Sequence, residues 1–256
     1  PPPYYTPRLL LRTVNCSPLA SHPNEKNAQV KQIVSTETGL LPIPLAIGRV
    51  SSKVTLMTEK PFNDLSSLAS YFPSRRSGRP RNMVAPGPSD AQIEEIVALA
   101  MRTPDHGKLA PWRVVSVGAD QRDRLAQGFT DAYRAEKPEA GRLELEGLES
   151  MAHEAPCLLV LLSSPVESSK IPLWEQELSC GAFAMNILHA AHSLGFVGGW
   201  ITGWPAYNDD VRDLFGSAPE KIAGLLYIGT SNMELAERPR PQVEDILSAW
   251  TPPVAL

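Results

Sequence analysis

The sequence has little cysteine, and the three cysteines that it has form no recognisable pattern. Cys16, Cys157 and Cys180 are the only ones among 256 residues, and their spacing matches neither a zinc site nor a CxxC redox pair. Cys157 and Cys180 lie in apolar stretches, which predicts buried free thiols. Few, unpaired cysteines are typical of a reducing compartment, so we expect a cytoplasmic protein.

The sequence also lacks a long apolar run and a strong excess of one charge. No run reaches the ~20 residues that a helix needs to cross a bilayer, so we expect no membrane partner. The formal net charge is −4, which gives no overall reason to expect nucleic-acid binding. The hydrophobic fraction of 43% is ordinary for a globular protein, and the length allows one large domain or two small ones.

The common catalytic signatures are missing as well. The sequence contains no GxSxG nucleophile elbow, no P-loop, no HExxH and no GxGxxG after a strand. His189 and His192 are three residues apart, which places them on one face of a predicted helix. No cysteine or acid supplies the other ligands of a metal ion, so we expect no metal site and a structural or interface role for both histidines.

The first 56 residues differ from the rest of the chain. Residues 1–56 contain no Trp, Phe, Asp or Met, and six Lys/Arg stand against two Glu. Three interpretations remain open: a disordered extension, an organelle-targeting peptide, or translated upstream sequence before a natural start at Met57. We therefore expect a non-native or disordered extension over 1–56 without chemistry, and one functional domain over 57–256.

Periodic patterns after residue 57 predict alternating helices and strands. Ser89 and Gln92 form a predicted capping box for a helix that ends before Pro104. Further helices are predicted over 120–136, 140–155, 173–195 and 209–216, and strands over 112–117, 155–164, 196–203 and 221–231. The helices outweigh the strands, which favours an α+β or α/β layer with a central sheet under a thick helical cover. The helix over 173–195 is apolar nearly all round, as expected in a core or a subunit interface.

Basic and glycine-rich features remain as candidates for chemistry. The stretch SRRS (74–77) offers two guanidiniums that match phosphate oxygens, and Arg102, His106 and Lys108 cluster in a later loop. The stretch VGGW (197–200) lets a flat ligand approach the backbone. Each feature alone has a more ordinary explanation, a solvated turn or a tight strand bend. Together they predict an anionic, planar cofactor.

Five stretches follow one another in the sequence in this order: SRRSGR, MRTPDHGKLAPWR, PLWEQELSCGAFAMNILHAAHSLGF, GGWITG and LLYIGT. Together they resemble the nitroreductase family of flavin-dependent oxidoreductases over roughly residues 64–250. The second stretch resembles the loop of a compact subgroup with the pattern R-x-P-D-H-x-x-x-x-P-W. The resemblance implies an FMN-binding α+β fold that forms an intertwined homodimer, with the flavin in a groove between the subunits.

The resemblance also implies which residues hold the cofactors. The arginine–serine motif is implied to contact the flavin phosphate and ribityl chain, the R-x-P-D-H loop to grip the cofactor, and the Gly-Gly-Trp segment to lie near the ring. The end of the long helix is implied to meet the nicotinamide nucleotide. The implied cofactor-binding residues are Arg75, Arg76, Ser77, Arg102, His106, Lys108, Trp200, Ile201, Thr202, Gly203, Ala190, Ala191, His192, Ser193, Leu194 and Gly195.

Three features depart from the family pattern or leave it open. Many members carry Asn and Gln in the loop where this chain has Lys108 and Ala110, and the subgroup often has Arg at the position of Ile201. Arg238 and Arg240 either reach the phosphate, as a C-terminal basic residue does in many relatives, or stay solvated in their Pro-rich segment.

The function that the resemblance implies is hydride transfer from NAD(P)H through FMN to a nitroaromatic, quinone or related small-molecule acceptor, with ping-pong kinetics. The chemistry belongs to FMN, so no catalytic side chain is expected. The absence of a Rossmann acidic residue leaves NADH and NADPH equally open. Two alternatives remain: a flavin-binding or storage protein with little turnover, and a helical interaction domain without a cofactor.

Overall fold

The computed structural model describes residues 62–168 and 170–252, and the predictions for residues 1–56 and Met57 lie outside this part. The described part contains seven α-helices, five strands and short 3₁₀ turns. The helices are α1 Leu68–Ser74, α2 Asp90–Ala100, α3 Arg122–Glu136, α4 Arg142–His153, α5 Leu173–Ser193, α6 Asp209–Asp213 and α7 Val243–Ile246. The strands are β1 Met83–Val84, β2 Trp112–Val117, β3 Cys157–Ser163, β4 Val197–Ile201 and β5 Lys221–Ser231.

All strand pairs in the sheet are antiparallel. Strand β3 pairs with β2 on one side and with β5 on the other, and β5 also pairs with β1 and β4. An antiparallel sheet covered by helices is an α+β architecture. The predicted α+β fold is therefore confirmed, and the α/β alternative, which needs parallel strands, is wrong.

Strand β3 explains why the run at 155–164 is apolar without alternation. All seven residues of β3 are buried. Successive side chains point to opposite faces of a strand, and here Leu158, Val160 and Leu162 join one core cluster while Leu159 and Leu161 join another. Both faces of the strand are therefore buried, as predicted.

Helices cover each face of the sheet. One core cluster contains Leu125 and Phe129 of α3 together with Leu148 of α4. The cluster on the other face contains Ile96 of α2 and Ile187 of α5. The molecule is thus a helix–sheet–helix sandwich with α5 in one outer layer.

Several predicted helix boundaries shift. The Ser89–Gln92 capping box is confirmed, and α2 ends at Ala100, ahead of Pro104. Helix α1 lies within residues 63–74. The predicted helix over 209–216 ends at Asp213, because Leu214 already caps it.

Helix α5 is buried on one face only within the described chain. Its buried residues include Phe183, Ala184 and Ile187, whereas Leu173, Trp174 and Leu178 are exposed. Among the described residues, no helix combines the length and apolar character that crossing a membrane requires.

Candidate functional site

The SRRS motif follows directly on the short helix α1. Arg75 caps the C-terminus of α1, whose one buried side chain is Tyr71. The next residues form a tight segment that we call the arginine turn, residues 75–78. The backbone N–H of Arg76 donates to Oδ1 of Asn63 at 2.8 Å, and Arg75 Nη1 donates to Oγ of Ser77 at 3.1 Å. The motif is therefore an ordered turn held at its start.

Arg76 is buried and binds the segment that follows β5. It is 8% exposed, its Nε donates to the carbonyl of Ala236 at 2.7 Å, and Glu237 Oε1 lies 3.8 Å from the same nitrogen. Burial lowers the pKa of Arg76, and the nearby charge of Arg238 lowers it further while Glu237 opposes this. The charges of Arg240 and Arg75 act in the same direction as that of Arg238.

This cluster carries an excess of positive charge. Four guanidiniums influence one another, and the carboxylate of Glu237 is the anion that the structure pairs with two of them, Arg76 and Arg240. Like charges held together favour an anion nearby. The arginine turn and the tail arginines thus form a basic site suited to a phosphate.

The Gly-Gly segment lies against the far end of the arginine turn. The backbone N–H of Gly78 donates to the carbonyl of Gly198 at 3.1 Å. A Cβ at Gly199 would lie 2.8 Å from the carbonyl oxygen of Gly78, a distance that no side chain tolerates. The glycine pair therefore permits close backbone approach, and two of the five resemblance stretches meet here.

The end of β4 leads away from this meeting point. Ile201 lies three residues beyond Gly198, about 10 Å along the strand. Ile201 and Thr202 are half-buried, and Gly203 is exposed with φ of 67°. Thus the segment 201–203 presents accessible backbone at the surface.

Trp200 lies flat against the sheet. Its Nε1 donates to the carbonyl of Ala223 at 3.0 Å, and a Cβ at Gly224 would lie 2.0 Å from that nitrogen. Trp204, nearby, donates from Nε1 to Oε2 of Glu136 at 3.1 Å. Both indoles are therefore held by carbonyl or carboxylate acceptors rather than projecting freely.

The R-x-P-D-H loop is exposed and strained. His106 and Lys108 are exposed, and Gly107, Lys108 and Ala110 have φ of 81°, 58° and 47°. Asp105 Oδ2 accepts from the backbone N–H of Ala110 at 2.7 Å, which closes the loop. Left-handed backbone at residues other than glycine is costly and is concentrated at functional sites.

The two ends of the R-x-P-D-H loop contact different parts of helix α5. His106 Nδ1 lies 2.6 Å from Oε2 of Glu175, in the first turn of α5. Thr103, next to Arg102, instead accepts from Nδ2 of Asn186 at 2.7 Å. Eleven residues of helix separate the two contacts, about 16 Å. Arg102 thus lies near the C-terminal half of α5, and His106 and Lys108 lie at its N-terminal end.

The C-terminal end of α5 is largely buried. Ala190, Ala191 and His192 are buried, whereas Ser193 is exposed. Leu194, which is half-buried, and Gly195, which is exposed and has φ of 85°, follow the last turn of the helix. The side chains expected to meet a nicotinamide nucleotide therefore reach the surface only in part.

A cavity of about 730 Å³ opens beside this end of the helix. Three of the expected site residues, Arg102, Ala190 and Ser193, line it. Its remaining wall is mostly apolar and comes from α1, α2 and α5, namely Leu65, Ser67, Leu68, Tyr71, Phe72, Leu99, Asn186 and His189. Within the described residues, no group of three His, Cys, Asp or Glu side chains could hold a metal ion.

Sequence reasoning missed Tyr71 and underestimated the two histidines of α5. Tyr71 Oη lies 2.7 Å from Nδ1 of His189 and 2.8 Å from Nδ1 of His192. The three-residue spacing of the histidines showed that they share a face. Nothing local signalled the partner, because Tyr71 is 118 residues from His189 along the chain.

Comparison with known proteins identifies the family. The model of the family described as "Nitroreductase family" matches residues 74–230, which is more than half of the chain. The chain belongs to the nitroreductase family. The matched region contains the arginine turn, the R-x-P-D-H loop, α5 and β4 but ends before Arg238 and Arg240.

Named relatives of this nitroreductase-family chain agree with the match. It is 31% identical over 166 residues to "Putative NAD(P)H nitroreductase YdjA" of Escherichia coli K12, covering 63% of this chain and 86% of that protein. It is 33% identical over 160 residues to "Putative NAD(P)H nitroreductase" of Haemophilus influenzae, covering 62% and 85%.

Solved structures share the fold of this nitroreductase. A nitroreductase-like family protein from Bacillus cereus superposes with a TM-score of 0.62 at 19% identity, covering 72% of this chain and 96% of that one. The NADPH:FMN oxidoreductase from Vibrio harveyi complexed with NAD+ has a TM-score of 0.53 at 19% identity, covering 68% and 73%. The nitroreductase-like α+β fold is thereby confirmed.

Proposed function

We propose that this protein is an FMN-dependent oxidoreductase that passes hydride from NAD(P)H to a nitroaromatic, quinone or related acceptor. The observation that carries the proposal is the basic site at the arginine turn, joined through backbone contact to the glycine segment of β4. The relatives named NAD(P)H nitroreductases support the donor. The solved NADPH:FMN oxidoreductase of the same fold supports FMN.

The residues present fit an FMN phosphate. A phosphate carries about two negative charges, and the excess of guanidinium charge around Arg76 matches that demand. Arg75 and Ser77 are accessible enough to reach a ligand, whereas buried Arg76 fixes the tail beside them. Arg238 and Arg240 are exposed, and their charges act on Arg76, so both alternatives for these two arginines remain open.

The end of β4 fits a flat ring. Gly203 carries no side chain that would block approach, and the accessible backbone of 201–203 offers polar groups at the end of the strand. FMN, when bound, supplies the hydride chemistry between the nicotinamide and the acceptor. The chain's own task is to hold the ring, expose one face and exclude water.

We also propose a homodimer in which a second copy completes each site. His106 and Lys108 lie at the opposite end of α5 from Arg102. The exposed Leu173, Trp174 and Leu178 on that helix offer an apolar face to a partner. A partner subunit would then bring its own loop toward the arginine turn and explain the strained backbone at 107–110.

The described cysteines support the proposed cytoplasmic location. Cys157 and Cys180 are free and buried, and burial raises the pKa of each thiol to about 11. Such thiols are unreactive, which suits a reducing compartment.

The decisive experiment is a visible absorption spectrum of the purified protein, followed by anaerobic addition of NADPH and, separately, NADH. A yellow protein that bleaches would support both cofactors, and parallel double-reciprocal lines with an acceptor would support ping-pong kinetics. A yellow protein that neither nucleotide bleaches would favour the storage alternative. A colourless protein that FMN cannot reconstitute would refute the proposal.

A double variant of the arginine turn tests where the FMN phosphate binds. Replacing both Arg75 and Arg76 by Ala should abolish FMN retention, because both guanidiniums of the turn are lost. Arg134→Ala is the matched control, since it removes an exposed arginine that pairs with Asp131 on α3. Unchanged flavin content in the double variant would show that the phosphate binds elsewhere.

A further inference from the structure

Helix α1 contacts helix α5 through its one buried side chain, Tyr71, and through the exposed Phe72, whose ring meets His189 edge to face. It has seven residues, and Tyr71 is its one buried residue. Helices this short are unstable without tertiary contacts. The phenol of Tyr71 makes edge-to-face contact with the imidazoles of His189 and His192, and its hydroxyl lies within hydrogen-bond distance of both rings.

One arrangement of protons satisfies all these groups. The backbone N–H of Gly198 donates to Nε2 of His192 at 3.4 Å, so Nε2 is an acceptor and neutral His192 carries its proton on Nδ1. That Nδ1–H donates to the oxygen of Tyr71, and the hydroxyl of Tyr71 donates to Nδ1 of His189. A single hydrogen-bonded line thus runs from β4 through α5 to α1.

Both imidazoles in this line are neutral at physiological pH. Burial, the charge of Arg75 and the neighbouring His189 lower the pKa of His192 to about 4. Burial and Arg75 also lower the pKa of His189. The line therefore places no positive charge beside Arg75.

His192 connects the two ends of the arginine turn. Upstream, it contacts Tyr71, four residues before Arg75. Downstream, it accepts from the N–H of Gly198, whose carbonyl in turn accepts from the N–H of Gly78. The imidazole is 1% exposed, so it reaches no ligand itself. This buried position favours a role for His192 in supporting the arginine turn over the nucleotide contact that the resemblance implies.

We propose that Tyr71 and His192 are positioning residues that set the arginine turn for the phosphate of a flavin nucleotide. This inference rests on the proposed binding of FMN. Tyr71 fixes where α1 ends, and Arg75 is the residue that caps it. Loss of the Tyr71 hydroxyl would let α1 shift and move the Arg75 guanidinium away from its phosphate.

The test compares FMN with riboflavin, which has the same ring and no phosphate. In Tyr71→Phe, the Kd for FMN, from flavin fluorescence titration, should rise about tenfold, equivalent to one hydrogen-bond contribution. The Kd for riboflavin should change by less than about twofold. A purely structural role would weaken both ligands by the same factor and would overturn the inference.

Tyr227→Phe is the matched control. Tyr227 is also buried and donates from its hydroxyl to the carbonyl of Met151 at 2.7 Å, but it lies on the other face of the sheet, in the cluster with α3 and α4. This variant should leave the ratio of the Kd for riboflavin to the Kd for FMN unchanged. An equal fall of that ratio in both variants would overturn the inference.

Two further variants keep the test decisive if Tyr71→Phe does not fold or if FMN binds elsewhere. His192→Gln should reproduce the phosphate-selective loss, which covers the case that Tyr71→Phe does not fold. In an Arg75→Ala background, Tyr71→Phe should have no further effect on FMN, because the two act through one contact. Additive effects of the Arg75 and Tyr71 substitutions would overturn this inference and leave the proposed function intact. A wild-type protein that binds neither FMN nor riboflavin would overturn both.

Discussion

Trp112 and Ser179 are joined by a hydrogen bond that ties strand β2 to helix α5. Trp112 Nε1 donates to Oγ of Ser179 at 3.1 Å, and the same hydroxyl donates to the carbonyl of Pro104 at 2.8 Å. The indole also stacks on Phe183, with ring centroids 4.4 Å apart and planes at 3°. One hydroxyl therefore holds both the beginning of the R-x-P-D-H loop and its return into the sheet.

Replacing Ser179 by Ala should destabilise the protein. The substitution leaves the indole N–H of Trp112 and the carbonyl of Pro104 without this partner in a largely buried place. We expect the free energy of unfolding to fall by about 1–3 kcal/mol, measured by urea denaturation. Ser150→Ala, at an exposed position of α4, is the control. Equal stability of the two variants would contradict the role given to Ser179.

Replacing Gly224 by Ala should displace Trp200. The added Cβ would meet the indole Nε1 at 2.0 Å, so the ring must leave its bond to the Ala223 carbonyl. We expect a stability loss of about 1–3 kcal/mol and a red-shifted tryptophan emission. Gly147→Ala on α4 is the opposite case: nothing lies within 4 Å, and the free energy of unfolding should rise by about 0.5–1 kcal/mol. An unshifted emission in Gly224→Ala would contradict the packing of Trp200.

Acidification should destabilise the protein through His192. Its folded pKa, about 4, lies below the ordinary value near 6.5, so the unfolded chain binds more protons between these values. The free energy of unfolding should therefore be flat above pH 7 and fall as the pH drops from about 6.5 towards 4.

The matched measurement for this pH dependence is the difference between wild type and His192→Gln. The variant lacks the titrating ring, so its free energy of unfolding should fall less than that of the wild type over the same range. The difference between the two proteins should reach up to about 3 kcal/mol. The pKa of His153 is raised, mainly by its bond to the Glu149 carbonyl, and its opposite contribution cancels in the difference. Parallel pH curves would show that His192 titrates normally.

Replacing Arg76 by Ala should release the segment after β5. Arg76 Nε is the donor to the carbonyl of Ala236, and its loss should raise the hydrogen-exchange rates of amides between residues 236 and 242 about tenfold. Arg79→Ala, an exposed neighbour, should leave these rates unchanged. Unaltered exchange in Arg76→Ala would mean that other contacts hold the tail.

The capping box, the buried strand at 157–163 and the long helix at 173–193 were readable from the sequence because each depends on local spacing. The meeting of SRRS with Gly-Gly was only implied by resemblance, since 120 residues separate Gly78 from Gly198. The structure also placed His106 at the N-terminal end of α5 and Arg102 near its C-terminal half, although they are only four positions apart in the chain. Four extended residues span at most about 14 Å, so side-chain reach supplies the rest of the ~16 Å between the two contacts on α5.

The sequence by itself determined which stretches are apolar strands, which helices cover the sheet and where the family motifs lie. It could do so because hydrophobic periodicity and turn chemistry act between near neighbours. Only the tertiary structure decided that Tyr71 meets His189 and His192, that Arg76 turns inward to the tail, and that Trp200 lies on Gly224. These contacts join residues that are distant in the chain. They form because packing the helices onto the sheet brings these distant residues together, and buried polar groups then pair with one another.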